Sequence, residues 1–335
     1  MGIREVAKRA GVSVATVSRT VNRVRAVNPE IAARVWKAIE EVGYVPNTQA
    51  RALVSGRSRI LGLIVSDITN PFFPELIQGF EQQAVQSGFE VLLGSTNYDP
   101  ALMALAVRRM IERKVEGVAV MTSEMEESLV GQLMNREIPL AFVDVGPRAP
   151  HVSNIEVDYL AGVRQAVQHL RRLGHRRLAF ICGPQRLKSG RLRLEAFQQC
   201  VTEEQPEGGQ ATILEGDHSL EGGFQAVQKL LASPARPTAV ICSNDLTAIG
   251  VLRGLDAEGL RTPRDISVIG FDDIHMAQFT LPPLTTVQLS RLELARLSFE
   301  ALTADIETAA AKEGASYRLE TRLVVRGSTA RLDGG

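Results

Sequence analysis

The sequence predicts an all-α helix-turn-helix head followed by an α/β core of two doubly wound lobes. Three observations lead there. Two short helical periodicities meet at a glycine within residues 3–22, eight short apolar runs alternate with helical stretches from residue 60 onward, and the charge changes sign between the two regions.

The first element is carried by Ile3, Val6, Ala7 and Ala10, whose i, i+3, i+4, i+7 spacing buries one stripe of a helix, with Gly11 placed as its stop. Ser13 can cap a second helix in which Val17 and Val21 face inward. Thr16, Ser18, Arg19 and Asn22 are left on the outer face. A third helix has Asn28 as cap, Pro29 at its first position, and Ile31, Val35, Ile39 and Val42 as its buried stripe before Gly43. Trp36, the one tryptophan, is expected to pack this small domain. Residues 1–59 hold eleven Lys/Arg against four acids, net +7, so the remainder carries 27 basic against 34 acidic residues, net −7. A basic head on an acidic body is what phosphate binding with counterion release requires, and the second helix would aim its N-terminus at a major groove. The stretch 47–59 is too short to fold by itself, although Ala50, Leu53 and Val54 fall on one helical face.

In the core, the apolar runs at 60–65, 89–94, 117–121, 140–145, 177–183, 211–216, 239–243 and 266–273 are short enough to be buried parallel strands. Helical stretches separate them, among them 74–87, 100–114, 161–173, 220–231 and 246–258. Eight strands exceed one compact sheet of this kind, so two similar lobes are expected. Open α/β sheets bind ligands at the carboxyl ends of their strands. There the chain places Asn70, Phe72 and Phe73 after the first run, Asp144 at the fourth, Asn244 and Asp245 at the seventh, and Asp272 and Asp273 at the eighth. Carboxylates and amides beside an aromatic face suit a sugar, whose hydroxyls need donors and acceptors in pairs. For Asp245 and Asp273 the favoured reading is capping of the next helix. Arg186, Lys188, Arg191 and Arg193 crowd the segment after the fifth run. If more than one of them faces the cleft, an aldonate or a sugar phosphate is favoured over a neutral sugar.

Taken together, VAKRAGVSVATVSRTVN at 6–22, GYVPN at 43–47 and ARAL at 50–53 resemble the lactose-repressor (LacI/GalR) family of bacterial transcription regulators, and the resemblance extends over essentially the whole chain. It implies that Val14, Ala15 and Arg19 read bases while Thr16, Ser18 and Asn22 hold phosphates. It also implies a hinge helix carrying Ala50 and Leu53, whose leucine wedges the minor groove beside a dimer mate. The core would be periplasmic-binding-protein-like, its chain crossing between subdomains three times, near residues 156, 286 and 316. The implied division is a helix-turn-helix domain at 1–46, a hinge at 47–59, an N-terminal subdomain at 60–155 with 286–315, and a C-terminal subdomain at 156–285 with 316–331. By the same resemblance Phe73 packs on the effector, Arg193 clamps it, and Asn244 and Asp272 hydrogen-bond it, while Phe72 and Asp144 are expected beside them from their places at strand ends. His218 stands where many members place an aromatic wall, and Ala196 replaces a usual glycine.

The function so implied is a repressor, dimeric on a pseudo-palindromic operator, controlled by a sugar or sugar acid. A dimer is also required by geometry, because one helix-turn-helix reads only a half-site. No leucine heptad succeeds the core, so a dimer rather than a tetramer is expected. Cys182, Cys200 and Cys242 are too widely spaced for a disulfide framework or a zinc site. A reducing setting without a metal is therefore expected, and since no apolar run approaches the roughly 18 residues of a membrane span, a cytoplasmic protein with no membrane contact and no cofactor is expected as well. No G-x-G-x-x-G, G-x-x-x-x-G-K-[ST] or G-x-S-x-G occurs, which argues against an enzyme of α/β type.

Overall fold

The computed structural model describes residues 2–21, 27–44, 56–122, 125–204, 210–307 and 314–332. It divides into two compact units, Met1–Arg59 and Ile60–Gly335.

In the first unit, helix α1 (Ile3–Ala10) stops at Gly11, whose φ of +64° lets the next two N–H groups turn back onto Lys8 and Ala7 carbonyls. Ser13 Oγ accepts from Thr16 N at 3.1 Å and so caps α2 (Val14–Val21). Asn28 Oδ1 accepts from Glu30 N at 2.8 Å and caps α3 (Pro29–Val42). Val6, Val17 and Val35, each fully buried, form the centre of this three-helix core. Trp36 does not join them. It is 42% exposed, because a helix turns about 100° per residue and the position after Val35 points away from the stripe.

The second unit holds eleven strands among its described residues: β1 (Ile60–Val65), β2 (Glu90–Ser95), β3 (Gly117–Met121), β4 (Leu140–Val143), β5 (Val152–Asp158), β6 (Arg177–Ile181), β7 (Gln210–Leu214), β8 (Ala239–Cys242), β9 (Ser267–Asp272), β10 (Thr285–Leu289) and β11 (Ser316–Val324). Between them lie α4 (Phe72–Gln86), α5 (Pro100–Glu112), α6 (Glu127–Met134), α7 (Tyr159–Arg172), α8 (Lys188–Glu204), α9 (Leu220–Leu231), α10 (Asp245–Ala257) and α11 (Arg291–Glu307). The alternation is the one the sequence predicted, but β5, β10 and β11 were not among the expected strands. They lack a continuous apolar run, since Ser153, Asn154, Glu156, Thr285, Thr286, Gln288, Arg318, Glu320 and Arg322 interrupt them.

Those three strands organise the core. Strands β2-β1-β3-β4-β5 form one parallel array and β10-β9-β8-β6-β7 another. Strand β11 joins them, pairing in parallel with β5 from Ser316 to Glu320 and antiparallel with β10 from Thr321 to Val324. The two expected sheets are thus one hydrogen-bonded ribbon of eleven strands that changes partner inside β11. After β5 the chain enters α7, which packs on α8 and β11; after β10 it enters α11, which packs back on α4. Cys182, Cys200 and Cys242 are buried as free thiols.

Candidate functional site

On the head, the outer face of α2 presents Val14 (41% exposed), Ala15 and Arg19 to solvent, with Thr16 and Ser18 half-buried beside them. Thr16 Oγ1 lies 2.9 Å from Ser13 Oγ, and Thr20, turned inward, donates to the Thr16 carbonyl. Asn22, Ala50 and Leu53 lie outside the described residues.

In the core, the ends of β1, β3, β4, β7, β8 and β9 surround a cavity of about 90 Å³. All seven expected effector residues, Phe72, Phe73, Asp144, Arg193, His218, Asn244 and Asp272, line it. Phe72 and Phe73 open α4 and meet edge to face, with ring centres 5.3 Å apart. Asn70 Oδ1 fixes that turn by accepting from Phe72 N at 3.0 Å. Across from them, Arg193 on α8 donates through Nη2 to Asp272 Oδ1 at 3.1 Å and through Nη1 to the Ser243 carbonyl. Its guanidinium also sits over the Phe271 ring at 4.1 Å. Both partners of this pair are buried, so each charge depends on the other. Burial lifts Asp272 to about 6, against the opposing pull of Arg193 and Arg291.

Asp144 comes directly after β4 with a left-handed φ of +65° and accepts from Val157 N at 2.9 Å and from the Tyr159 hydroxyl at 2.8 Å. Burial raises its pKa despite those donors. His218 (φ +67°) and Asp272 (φ +111°) are likewise held in conformations unfavourable to side chains. Such strain gathers where a fold must aim a particular group. The His218 ring edge occupies the space a Cβ on Gly183 would need, 1.9 Å from Nε2, so only glycine fits there. Burial, reinforced by the charge of Arg193, lowers the His218 pKa to about 3 and keeps the imidazole neutral. Three buried polar atoms here, Arg193 Nε, His218 Nε2 and Ser243 Oγ, have no partner in the protein.

Several neighbours differ from their expected roles. Asn244 lines the cavity, yet its Oδ1 caps α10 through Thr247 N at 2.9 Å and its Nδ2 donates to the His218 carbonyl at 3.0 Å. Asp245 and Asp273 are braces rather than caps. Asp245 accepts from Thr286 Oγ1 and Ile274 N, and Asp273 from Gln288 and Arg326, so both carboxylates tie β10 to the segments that follow β9 and β11. Burial and the like charge of Asp272 push Asp245 well above the usual carboxylate range. Of the four basic residues after β6, Arg193 alone lines this cavity. Lys188 donates to the Asp144 carbonyl, Arg191 to the carbonyls of Gln185 and Arg186, and Arg186 lies over the Tyr98 ring. Tyr98, Thr122, Tyr159 and Ser189 also line the cavity and were not anticipated. Tyr159 begins the helix after β5, and an unread strand conceals what stands at its end.

Two family models match the chain: the bacterial regulatory proteins of the lacI family over residues 2–47 and the periplasmic binding protein-like domain over residues 167–329. The chain is 34% identical over 335 residues to the HTH-type transcriptional repressor PurR of Klebsiella pneumoniae, covering 98% of this chain and 96% of that one. It is 35% identical over 305 residues to the ribose operon repressor of Escherichia coli K12, covering 90% and 91%. Among solved structures, the lac repressor dimer bound to operator and an anti-inducer superposes with a TM-score of 0.86 at 29% identity, covering 98% of this chain and 99% of that one. A LacI-family regulator from Enterococcus faecium with bound ribose superposes at 0.73 and 31% identity, covering 82% and 100%.

Proposed function

The chain belongs to the lacI family of bacterial regulatory proteins, DNA-binding regulators controlled by small effectors, and from that membership we propose a homodimeric repressor whose effector is a neutral sugar. Val14, Ala15 and Arg19 read base edges from α2, while Thr16, Ser18 and Asn22 hold phosphates and set register. Ala50 and Leu53 belong to a hinge at 47–59 whose leucine enters the minor groove at the operator's centre. Two heads are needed for a pseudo-palindromic site. Exposed apolar side chains support self-association: Val85, Leu93, Leu102 and Leu105 near β2, and Ile213, Phe224, Met276, Phe279 and Leu281 in the other half of the core. We divide the core into subdomains at 60–155 with 286–315 and at 156–285 with 316–331.

The charge balance of the cavity carries the neutral assignment. Its one lining guanidinium, Arg193, is already matched by Asp272, and Asp144 adds acceptors rather than donors. An aldonate or sugar phosphate would meet no unmatched cation on the cavity wall, and Lys188 beyond it is held on the Asp144 carbonyl, so its charge would be desolvated at a cost. Hydroxyls, by contrast, can pair with Asp144, Asp272 and the unmet Arg193 Nε, while Phe72 and Phe73 cover an apolar ring face. The cavity binds and does not turn over its ligand. Among described residues no helix is long and apolar enough to cross a membrane, and a cytoplasmic location suits a DNA target.

Thermal unfolding against neutral sugars, aldonates, sugar phosphates and nucleobases tests this reading. A ligand at a hundredfold excess over its Kd adds about 2.7 kcal/mol to stability. A shift with a neutral sugar is expected; a shift confined to acidic sugars or to nucleobases contradicts the assignment.

A further inference from the structure

Arg291 opens α11 between two residues that line the cavity, Leu289 and Leu294, and does not line it itself. Ser290 Oγ accepts from Glu293 N at 3.3 Å, which makes Ser290 the cap and Arg291 the first residue of the helix. A cation is disfavoured there, because a helix N-terminus is already partly positive. Other contacts hold it in place. Its side chain is 11% exposed, with Nε and Nη2 both on Glu75 Oε2 at 2.8 Å and Nη1 donating to the Asp272 carbonyl at 2.7 Å.

Those two partners belong to different walls of the cavity. Glu75 lies in the first turn of α4, two residues after Phe73, so the ion pair ties down the turn that carries both phenylalanines. Asp272 ends β9 at a φ of +111°, which its own side chain disfavours. Its carboxylate meets Arg193 and its carbonyl meets Arg291, so the residue is clamped at both ends. A planar guanidinium holds two acceptors at a fixed angle, and here that angle sets one wall against the other. The charged and titratable groups facing Asp272 are Arg193 from α8, Arg291 from α11, Asp245 from α10 and Tyr159 from α7, with Asp273 next in the chain.

We infer that Arg291 is a positioning residue for the effector, holding Glu75 and the Asp272 carbonyl at once and so setting the Asp272 carboxylate against the wall of Phe72 and Phe73. This rests on the neutral-sugar reading of the cavity and deepens it. Two measurements on the full chain test it: the Asp272 titration in the ligand-free protein, followed by carboxyl-carbon NMR and assigned against Asp272→Asn, and isothermal titration with glucose, galactose, xylose and ribose. Arg291→Gln removes one of the two cations that hold down the Asp272 value of about 6, so that titration should move upward by about 1. Sugar affinity at neutral pH should fall about tenfold. Arg291→Lys keeps the charge and gives up the planar fork, so it should restore the titration and only part of the affinity. Glu75→Gln, which loosens the aromatic wall alone, should leave the titration in place and weaken the sugar by a smaller factor than Arg291→Gln does. An Asp272 titration that Arg291→Gln does not move, or a sugar affinity that it leaves unchanged, overturns the positioning role. If none of the four sugars binds the unaltered chain, the neutral-sugar reading fails, and the titration alone decides for or against Arg291.

Discussion

At the residue scale, the candidate effector cavity gathers side chains held against their own backbone preferences. Asp144, His218 and Asp272 all adopt positive φ at strand ends, and all three face one cavity. Their convergence was legible in sequence because parallel strands carry their carboxyl ends to one edge. The roles of Asp245 and Asp273 were not, because Thr286, Ile274, Gln288 and Arg326, which donate to them, are remote in sequence. Two predictions belong here. On the proposed reading Arg19→Ala removes a base contact worth about 1–3 kcal/mol, so operator affinity measured by fluorescence anisotropy should fall about 5- to 150-fold while sugar affinity holds. The second concerns pH. Asp272 is lifted to about 6 by burial, so it is ionised at pH 7 and takes up a proton as pH drops through that value. The ionised carboxylate accepts from Arg193 and, on the proposed reading, from the sugar, so sugar affinity should be level above pH 7 and decline below 6. His218 contributes no step in that range, since its pKa is held near 3. Asp272→Asn should abolish the decline; calorimetric titration from pH 5 to 8 reads it.

At the element scale, β11 bears the connection between the two halves of the ribbon. Where its pairing changes partner stands Thr321, 2% exposed, whose hydroxyl donates to the Asp158 carbonyl at 2.6 Å and accepts from Gly162 N at 3.0 Å. Gly162 lies in the first turn of α7, where N–H groups lack intrahelical partners. Thr321→Val keeps the shape and removes both bonds, leaving a buried donor unmet at a cost of about 1–3 kcal/mol. The melting temperature should drop by several degrees, and Thr321→Ser should restore most of it. An unchanged melting temperature would show that water replaces the hydroxyl. Sequence patterning found the eight strands with continuous apolar runs and passed over β5, β10 and β11, the strands that join the halves. Strands β5 and β11 alternate buried and wetted residues, and β10, although almost wholly buried, carries Thr285, Thr286 and Gln288 for side-chain bonds to neighbouring segments, so no apolar run marks any of the three. The helix boundaries of the head were legible by contrast, from Gly11 as a stop to Asn28 as a cap, because those signals are local, whereas Trp36, expected to pack the domain, faces solvent.

At the scale of the whole molecule, the cleft is spanned by polar contacts that a ligand can strengthen or break. Lys188 reaches the Asp144 carbonyl, Arg186 covers Tyr98, and Arg291 bridges Glu75 and the Asp272 carbonyl. Each joins a segment near β1, β2 or β4 to one near β6 or β9. A sugar that favours one cleft geometry over another can shift operator affinity only by its difference in affinity for the two states. The most direct test is a titration of the full chain on an operator duplex selected from random sequence, with and without the sugar that raises its melting temperature. At least a fivefold change in operator Kd is expected, within the usual range of about 1–3 kcal/mol for such coupling. Asp272→Asn should keep the sugar-free Kd and abolish the change. An operator Kd that is the same with and without the sugar would contradict the claim that this cleft controls DNA binding.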